Sequence, residues 1–118
     1  MTIGGMNIGT DVIEVKRFRS KPLNNRNTGF YHSVFTKSEM IYCSKFSDPY
    51  PHLAGIFAAK ESIIKCLNKP IKMIDIEIIH GQFGKPAAVI HRKRKNTIST
   101  RISISHTRSL AIAVAITD

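Results

Sequence analysis

The stretch from His52 to Leu67 limits the possible folds more than any other part of the chain. It carries Leu53, Ile56, Phe57, Ile63, Ile64 and Leu67, with three alanines and no internal breaker, so apolar side chains and helix-forming residues coincide over about four turns. A helix that is apolar on nearly every side must be central, with other elements covering it. Ser47-Asp48-Pro49-Tyr50-Pro51 breaks the chain before it, and Asn68-Lys69-Pro70 ends it.

The covering elements show in the alternation of the remaining sequence. Asn7 to Val15 is rich in β-branched residues and reads as a strand running into a short irregular or helical segment. Ile74 to Ile79 alternates like a half-buried strand, with Asp75 and Glu77 expected toward solvent. Gly81 to Pro86 reads as a hairpin connection into a strand at Ala87 to His91. Arg101 to Ser105 and Leu110 to Ile116, joined by His106-Thr107-Arg108-Ser109, form an antiparallel hairpin. In the last strand Leu110, Ile112, Val114 and Ile116 alternate with Ala111, Ala113 and Ala115, so one face is bulky and the other smooth enough for a helix to come close. Ser20 to Thr28 is a loop, Gly29 to Val34 one helical turn, and Thr36-Lys37-Ser38-Glu39 a capping box opening a helix from Lys37 to Lys45. The expected fold is α+β, a single compact domain over residues 1–118 with the long helix packed on an antiparallel sheet.

Bulk properties narrow the function classes. With 42% hydrophobic and 22% charged residues the chain is neither disordered nor a miniprotein. No apolar run approaches the roughly 20 residues of a membrane helix, and Met1 to Gly5 lacks the charged and apolar regions of a signal peptide, so a cytoplasmic protein without membrane contact is expected. Cys43 and Cys66 have no His or Cys at ligand spacing and read as buried free thiols. A formal charge of +10 favours anionic partners.

Only eight residues are acidic, so each carboxylate among apolar neighbours can be weighed singly. Glu61 has Phe57 and Ala58 one turn before it and Ile64 close after it, which makes it either half of an ion pair with Lys65 or a ligand. Asp11 lies in the apolar first strand beside Gly9 and Thr10, either capping a helix from Val12 or facing a ligand. If the two converge, they offer two oxygen ligands with open positions, which suits magnesium completing its shell with water and phosphate. His106 stands at a strand end beside Ser105, Thr107 and Arg108, as a surface residue or as part of a phosphate-binding group. No Gly-x-Ser-x-Gly elbow and no P-loop is present.

Taken together, Ile8-Gly9-Thr10-Asp11-Val12-Ile13-Glu14-Val15, Phe35-Thr36-Lys37-Ser38-Glu39, Leu53-Ala54-Gly55-Ile56-Phe57-Ala58-Ala59-Lys60-Glu61-Ser62, Gly84-Lys85-Pro86 and Ser103-Ile104-Ser105-His106-Thr107 resemble the holo-[acyl-carrier-protein] synthase family of small 4'-phosphopantetheinyl transferases, in the same chain order and over nearly the whole length. The resemblance implies transfer of 4'-phosphopantetheine from coenzyme A to a serine of an acyl carrier protein in support of fatty acid biosynthesis. It implies a magnesium ion held by Asp11 and Glu61, with Lys65 stabilising the leaving charge. Lys60, Lys65, His106 and Thr107 become coenzyme contacts, Lys60 the least secure of them. Glu61 or a magnesium-bound water is the base for the serine proton. Lys16, Arg17, Arg19 and Lys21 match the basic region that docks the acidic carrier, and the family's symmetric trimer implies a homotrimer here.

Two features depart from the family. Gly55-Ile56-Phe57 stands where Gly-Arg-Phe is usual, and the loop after the helix is shortened to Asn68-Lys69-Pro70, so coenzyme placement is expected to differ. Two other readings compete. One is a small nucleic-acid-binding protein, motivated by the charge and by His91-Arg92-Lys93-Arg94-Lys95, although the chain lacks base-stacking aromatic strands, zinc-finger spacing and a helix-turn-helix. The other is a family member that binds coenzyme A without turnover.

Overall fold

The structure, a computed structural model describing residues 5–91 and 100–118, follows the chain as β1 (Asn7–Glu14), α1 (Lys16–Arg19), a 3-10 turn (Asn25–Asn27), α2 (Thr28–Val34), α3 (Lys37–Ser44) and α4 (Tyr50–Leu67), then a 3-10 turn (Met73–Asp75), β2 (Ile76–His80), β3 (Pro86–Ile90), β4 (Thr100–His106) and β5 (Leu110–Thr117). The basic run read from the sequence falls at residues 92–95, outside the described residues.

Helix α4 begins two residues before the expected start because Pro51 sits in its first turn, where a missing N–H costs nothing. It ends at Asn68, whose left-handed backbone (φ 49°) lets its N–H reach the Ile64 carbonyl at 3.1 Å. From Pro51 to Cys66 twelve of sixteen residues are buried, the exceptions being His52, Glu61, Ile64 and Lys65. No helix among the described residues is long and apolar enough to cross a membrane.

Strands β1, β5 and β4 form an antiparallel sheet in that order, and β2 and β3 form a separate hairpin. Residues directly opposed across the ladder share a face. The rows Gly9/Ala115/Ile102, Asp11/Ala113/Ile104 and Ile13/Ala111/His106 therefore all lie on the side covered by α4. Glycine and the three buried alanines make this side smooth, and α4 comes very close: a Cβ added to Gly9 would stand 2.1 Å from the Ser62 carbonyl oxygen. The bulky side of β5 faces away, where Leu110 and Ile112 join Ile8 and Val12 in an exposed apolar patch. Ile8 is 72% exposed and Val12 63%, and Val12 lies directly opposite Ile112 in the ladder, so the patch runs across both strands.

The other side of α4 is tied down by aromatic and ionic contacts. Phe18 of α1 packs edge-on against Phe35 and Phe57, and tilted against Phe30. The expected capping box is present: the Glu39 N–H donates to Thr36 Oγ1, and Thr36 N–H donates to Glu39 Oε1 at 2.7 Å. The same carboxylate pairs with the fully buried Lys60 at 2.6 Å and accepts the Ile78 N–H at 2.7 Å, so α3, α4 and β2 meet at one buried charge pair.

Several sequence expectations need correction. Residues 73–75 form a 3-10 turn, so the strand starts at Ile76 rather than Ile74. Asp75 and Glu77 are half-buried rather than solvent-facing. Glu77 takes hydrogen bonds from Ser38 Oγ (2.5 Å) and Thr36 Oγ1 (3.1 Å) and pairs with His91 Nε2 (3.1 Å), and the Ser38 and His91 contacts hold its carboxyl below the usual range. Asp11 caps no helix; it sits in the middle of β1. Cys43 and Cys66 are free and buried, as expected.

Candidate active site

Strand β1 is an edge strand of the sheet and runs antiparallel to α4. The Cys66 thiol lies beside the carbonyls of Asn7 and Ala115, and Gly9 lies against Ser62. Two strand residues advance about 7 Å and four helix residues about 6 Å, so Asp11 comes level with the helix between Ala58 and Glu61. The Asp11 carboxylate is 17% exposed and lies 3.2 Å from the Lys65 ammonium, which also donates to the Thr10 carbonyl at 2.9 Å. Lys65 is thus paired with Asp11 and not with Glu61, against the ion-pair reading of the sequence.

Glu61 precedes Lys65 by one turn on the same helical face, so both face the β1 edge. Glu61 is half-buried and has no hydrogen bond or ion pair among the described residues. A half-buried carboxylate without a partner, beside a second carboxylate that already attracts a cation, is a site short of positive charge. Among the described residues no three His, Cys, Asp or Glu side chains gather closely enough to enclose a metal. Two carboxylates, one from a strand edge and one from the helix beside it, fit a hard divalent ion that keeps waters and takes oxygens from a phosphate ligand, and do not fit a closed structural site.

The other candidate residues fall in three places. Lys60, read as a phosphate contact, is fully buried with its ammonium between Glu39 and the Val34 carbonyl, so no part of it reaches a surface ligand. Burial pushes its pKa down while Glu39 opposes the shift. His106 ends β4 and is exposed, its ring 4.7 Å from that of His52 on α4. Thr107 Oγ1 accepts the N–H groups of Ser109 and Leu110, lies 3.5 Å from Ser109 Oγ and closes the β4–β5 turn.

The basic residues cluster on and after α1. Lys16 pairs with Glu14 at 2.9 Å, and the Arg17 guanidinium lies 5.2 Å from the Phe57 ring. Both border a cleft of about 660 Å3 beside Val12 and Ser20. Arg19 holds Asp48 through two hydrogen bonds of 3.0 and 2.7 Å, which lowers the Asp48 pKa, and Lys21 lies over the Phe30 ring at 4.2 Å. Lys16 and Arg19 are therefore each engaged with a carboxylate, and Arg17 and Lys21 have no ion-pair partner among the described residues.

Sequence reasoning missed Glu39 as the partner of Lys60, and missed His52 and His80 altogether. A signal for the first existed: Lys60 interrupts an otherwise apolar helix and needs a buried acid. For the histidines the signal is weaker, because only the fold brings residues 52, 80 and 106 around one cleft.

The geometry agrees with known proteins. The family model of the 4'-phosphopantetheinyl transferase superfamily matches residues 7–115. A holo-[acyl-carrier-protein] synthase of Caldanaerobacter subterraneus is 40% identical, with 92% of this chain and 91% of the relative covered, and one of Leptospira biflexa is 37% identical, with 94% of both covered. The holo-[acyl-carrier-protein] synthase of Helicobacter pylori in complex with coenzyme A superposes with a TM-score of 0.82 at 27% identity, covering 94% of this chain and 99% of that one. That of Bacillus anthracis in complex with CoA (3',5'-ADP) gives 0.78 at 25% identity, with 94% of both covered. With β1 and α4 carrying Asp11 and Glu61 inside the matched region, the chain is an enzyme of the holo-[acyl-carrier-protein] synthase family within the 4'-phosphopantetheinyl transferase superfamily.

Proposed function

We propose that this protein transfers 4'-phosphopantetheine from coenzyme A to a serine hydroxyl of an apo acyl carrier protein in a magnesium-dependent reaction that supports fatty acid biosynthesis. The observation that carries the reading is the unpartnered Glu61 carboxylate facing the same strand edge as Asp11, with Lys65 between strand and helix. Asp11 and Glu61 would hold the ion, which when bound neutralises charge on the diphosphate.

The chain's own residues account for the rest of the reaction. The carrier serine Oγ forms a bond to the β-phosphorus of coenzyme A as the bond from that phosphorus to the oxygen of adenosine 3',5'-bisphosphate breaks. Negative charge moves to the leaving phosphate, and the serine proton goes to a base. Glu61, or a water held at the same site, would accept it. Lys65 has a long flexible stem and is 53% exposed, so its ammonium can move from Asp11 and Thr10 to the developing charge. His106 and Thr107 offer an N–H and an O–H at the strand end for the coenzyme.

Lys16 and Arg17, supported by Arg19 and Lys21, form the docking surface for an acidic carrier, which raises the association rate most at low salt. The exposed apolar patch of Ile8, Val12, Leu110 and Ile112 supports a homotrimer in which copies cover it. The free thiols suit a reducing compartment, and we place the reaction in the cytoplasm.

The test is the intact mass of an apo carrier protein after incubation with the enzyme, coenzyme A and Mg2+. A gain of one phosphopantetheine group is expected, abolished by EDTA and slowed at least ~100-fold in Glu61→Gln and Asp11→Asn. Coenzyme A binding with no mass gain on several acidic carriers would refute transfer and leave a binding protein.

A further inference from the structure

Helix α1 is a single turn of four residues, too short to hold its own shape, so its orientation comes from what its side chains reach. Phe18 supplies one anchor, buried among Phe30, Phe35 and Phe57. That anchor sets how deep the helical turn sits but leaves it able to swing about the Phe18 side chain. A second anchor about 100° further round the helix removes this freedom, and Arg19 stands at that position.

Arg19 joins three parts of the chain. Its guanidinium forks onto Asp48, Nη1 donating to Oδ1 at 3.0 Å and Nη2 to Oδ2 at 2.7 Å, and Nη2 also donates to the Arg108 carbonyl at 3.2 Å. Asp48 Oδ1 accepts the Tyr50 N–H at 3.3 Å, at the start of α4. The Tyr50 hydroxyl accepts the Leu23 N–H at 3.1 Å, in the loop that leaves α1, and the Tyr50 ring lies 5.6 Å from the guanidinium. Just before α1 the Val15 N–H donates to the Ser109 carbonyl at 2.8 Å. Residues 15–23 are thus fastened to the β4–β5 turn on one side and to the start of α4 on the other.

The Arg19 and Asp48 side chains are 36% and 41% exposed, and most surface ion pairs contribute little. This one is bidentate and belongs to a network, the conditions under which such a pair fixes geometry. Three of the five guanidinium N–H groups are committed to Asp48 and Arg108, which leaves Arg19 little to offer an anionic partner. Arg17 differs, having no ion-pair partner among the described residues.

We propose that Arg19 is a positioning residue of the carrier-docking surface: its fork onto Asp48 sets the orientation of α1, and with it the place where Lys16 and Arg17 meet the carrier, while Arg19 itself does not touch the carrier. The proposal rests on the carrier-modifying reading above and deepens it, because it moves Arg19 from the contact surface to the frame behind it.

The two roles open to Arg19 predict opposite signs. For a docking cation, Asp48→Asn releases the full charge of Arg19 and tightens an acidic carrier, and Arg19→Lys keeps the charge and leaves docking as it is. For a positioning residue both variants loosen α1, since the neutral amide accepts through one oxygen only and lysine cannot form the fork.

The experiment measures phosphopantetheinylation against apo carrier concentration at saturating coenzyme A and Mg2+, and against coenzyme A at saturating carrier, well below the Tm of each variant. We expect KM for the carrier to rise about fivefold in Asp48→Asn and in Arg19→Lys, with KM for coenzyme A within about twofold of wild type. The double variant should be no worse than either single one, because both remove the same pair. A carrier KM that is lowered or unchanged in Asp48→Asn overturns the positioning role. Losses that add in the double variant, or effects confined to kcat or Tm or equal on both KM values, overturn it as well. Absence of transfer by the wild-type protein refutes the carrier-modifying reading and the positioning role with it.

Discussion

Replacing Gly9 by alanine tests whether the close approach of β1 to α4 builds the active site. A Cβ at Gly9 would lie 2.1 Å from the Ser62 carbonyl oxygen and 3.1 Å from the Cys66 nitrogen. Ordinary van der Waals contact begins near 3.4 Å, and both atoms in the way are helix backbone, which cannot rotate aside. Strand and helix must therefore separate by about 1 Å at this point, which as an overpacking change costs about 1–3 kcal/mol. For a domain of this size that lowers Tm by about 5–15 °C. Asp11 is two residues along the same strand, on the same face, and Glu61 adjoins Ser62, so the separation opens the distance between the two carboxylates. Misplacement by about 1 Å in a positioned site costs on the order of 100-fold in rate.

Calorimetric Tm and carrier-protein phosphopantetheinylation would be measured on Gly9→Ala beside Gly29→Ala. The second glycine has nothing within 4 Å of its built Cβ and lies in α2, so alanine there should be neutral or stabilising by up to about 1 kcal/mol. A Gly9→Ala protein with unchanged Tm and turnover within twofold of wild type would refute the claim that this contact sets the site.

Other expectations follow from the buried groups. Lys60→Met strands the Glu39 carboxylate in the core and should cost about 3–5 kcal/mol in urea unfolding. Adding Glu39→Gln should recover part of the loss, because the amide still accepts the Thr36 N–H without carrying charge, whereas no recovery would argue against the pair. Burial pushes the Cys43 thiol up to about 12, with the Glu39 carboxylate adding to the shift, so at pH 8 it is un-ionised and should resist iodoacetamide until the protein is unfolded. Rapid alkylation of native Cys43 would contradict its burial.

Much of this architecture is written in local patterns. Helix α4 follows from the composition of residues 52–67, because a long apolar segment without breakers has few alternatives to a central helix. The alanine side of β5 and Gly9 foretell close helix–sheet contact, because alternation assigns faces without any knowledge of neighbours. The capping box is equally local, with all its atoms within four residues. Asp11 and Glu61 stood out as carboxylates placed among apolar neighbours.

Which charges meet depends on how the elements pack. Glu39 already had a local role as a capping residue, which concealed its second role as the partner of Lys60, 21 residues away. Lys65 had two acids within reach, and the antiparallel course of β1 along α4 gave it Asp11 instead of Glu61. The three histidines belong to separate elements and become one cleft through the placement of β2 and β4 around α4. The elements and their apolar faces are legible along the chain, because periodicity and capping act over a few residues. Charge partners and pockets depend on how the elements cross, and side chains far apart in sequence carry no mark of that crossing.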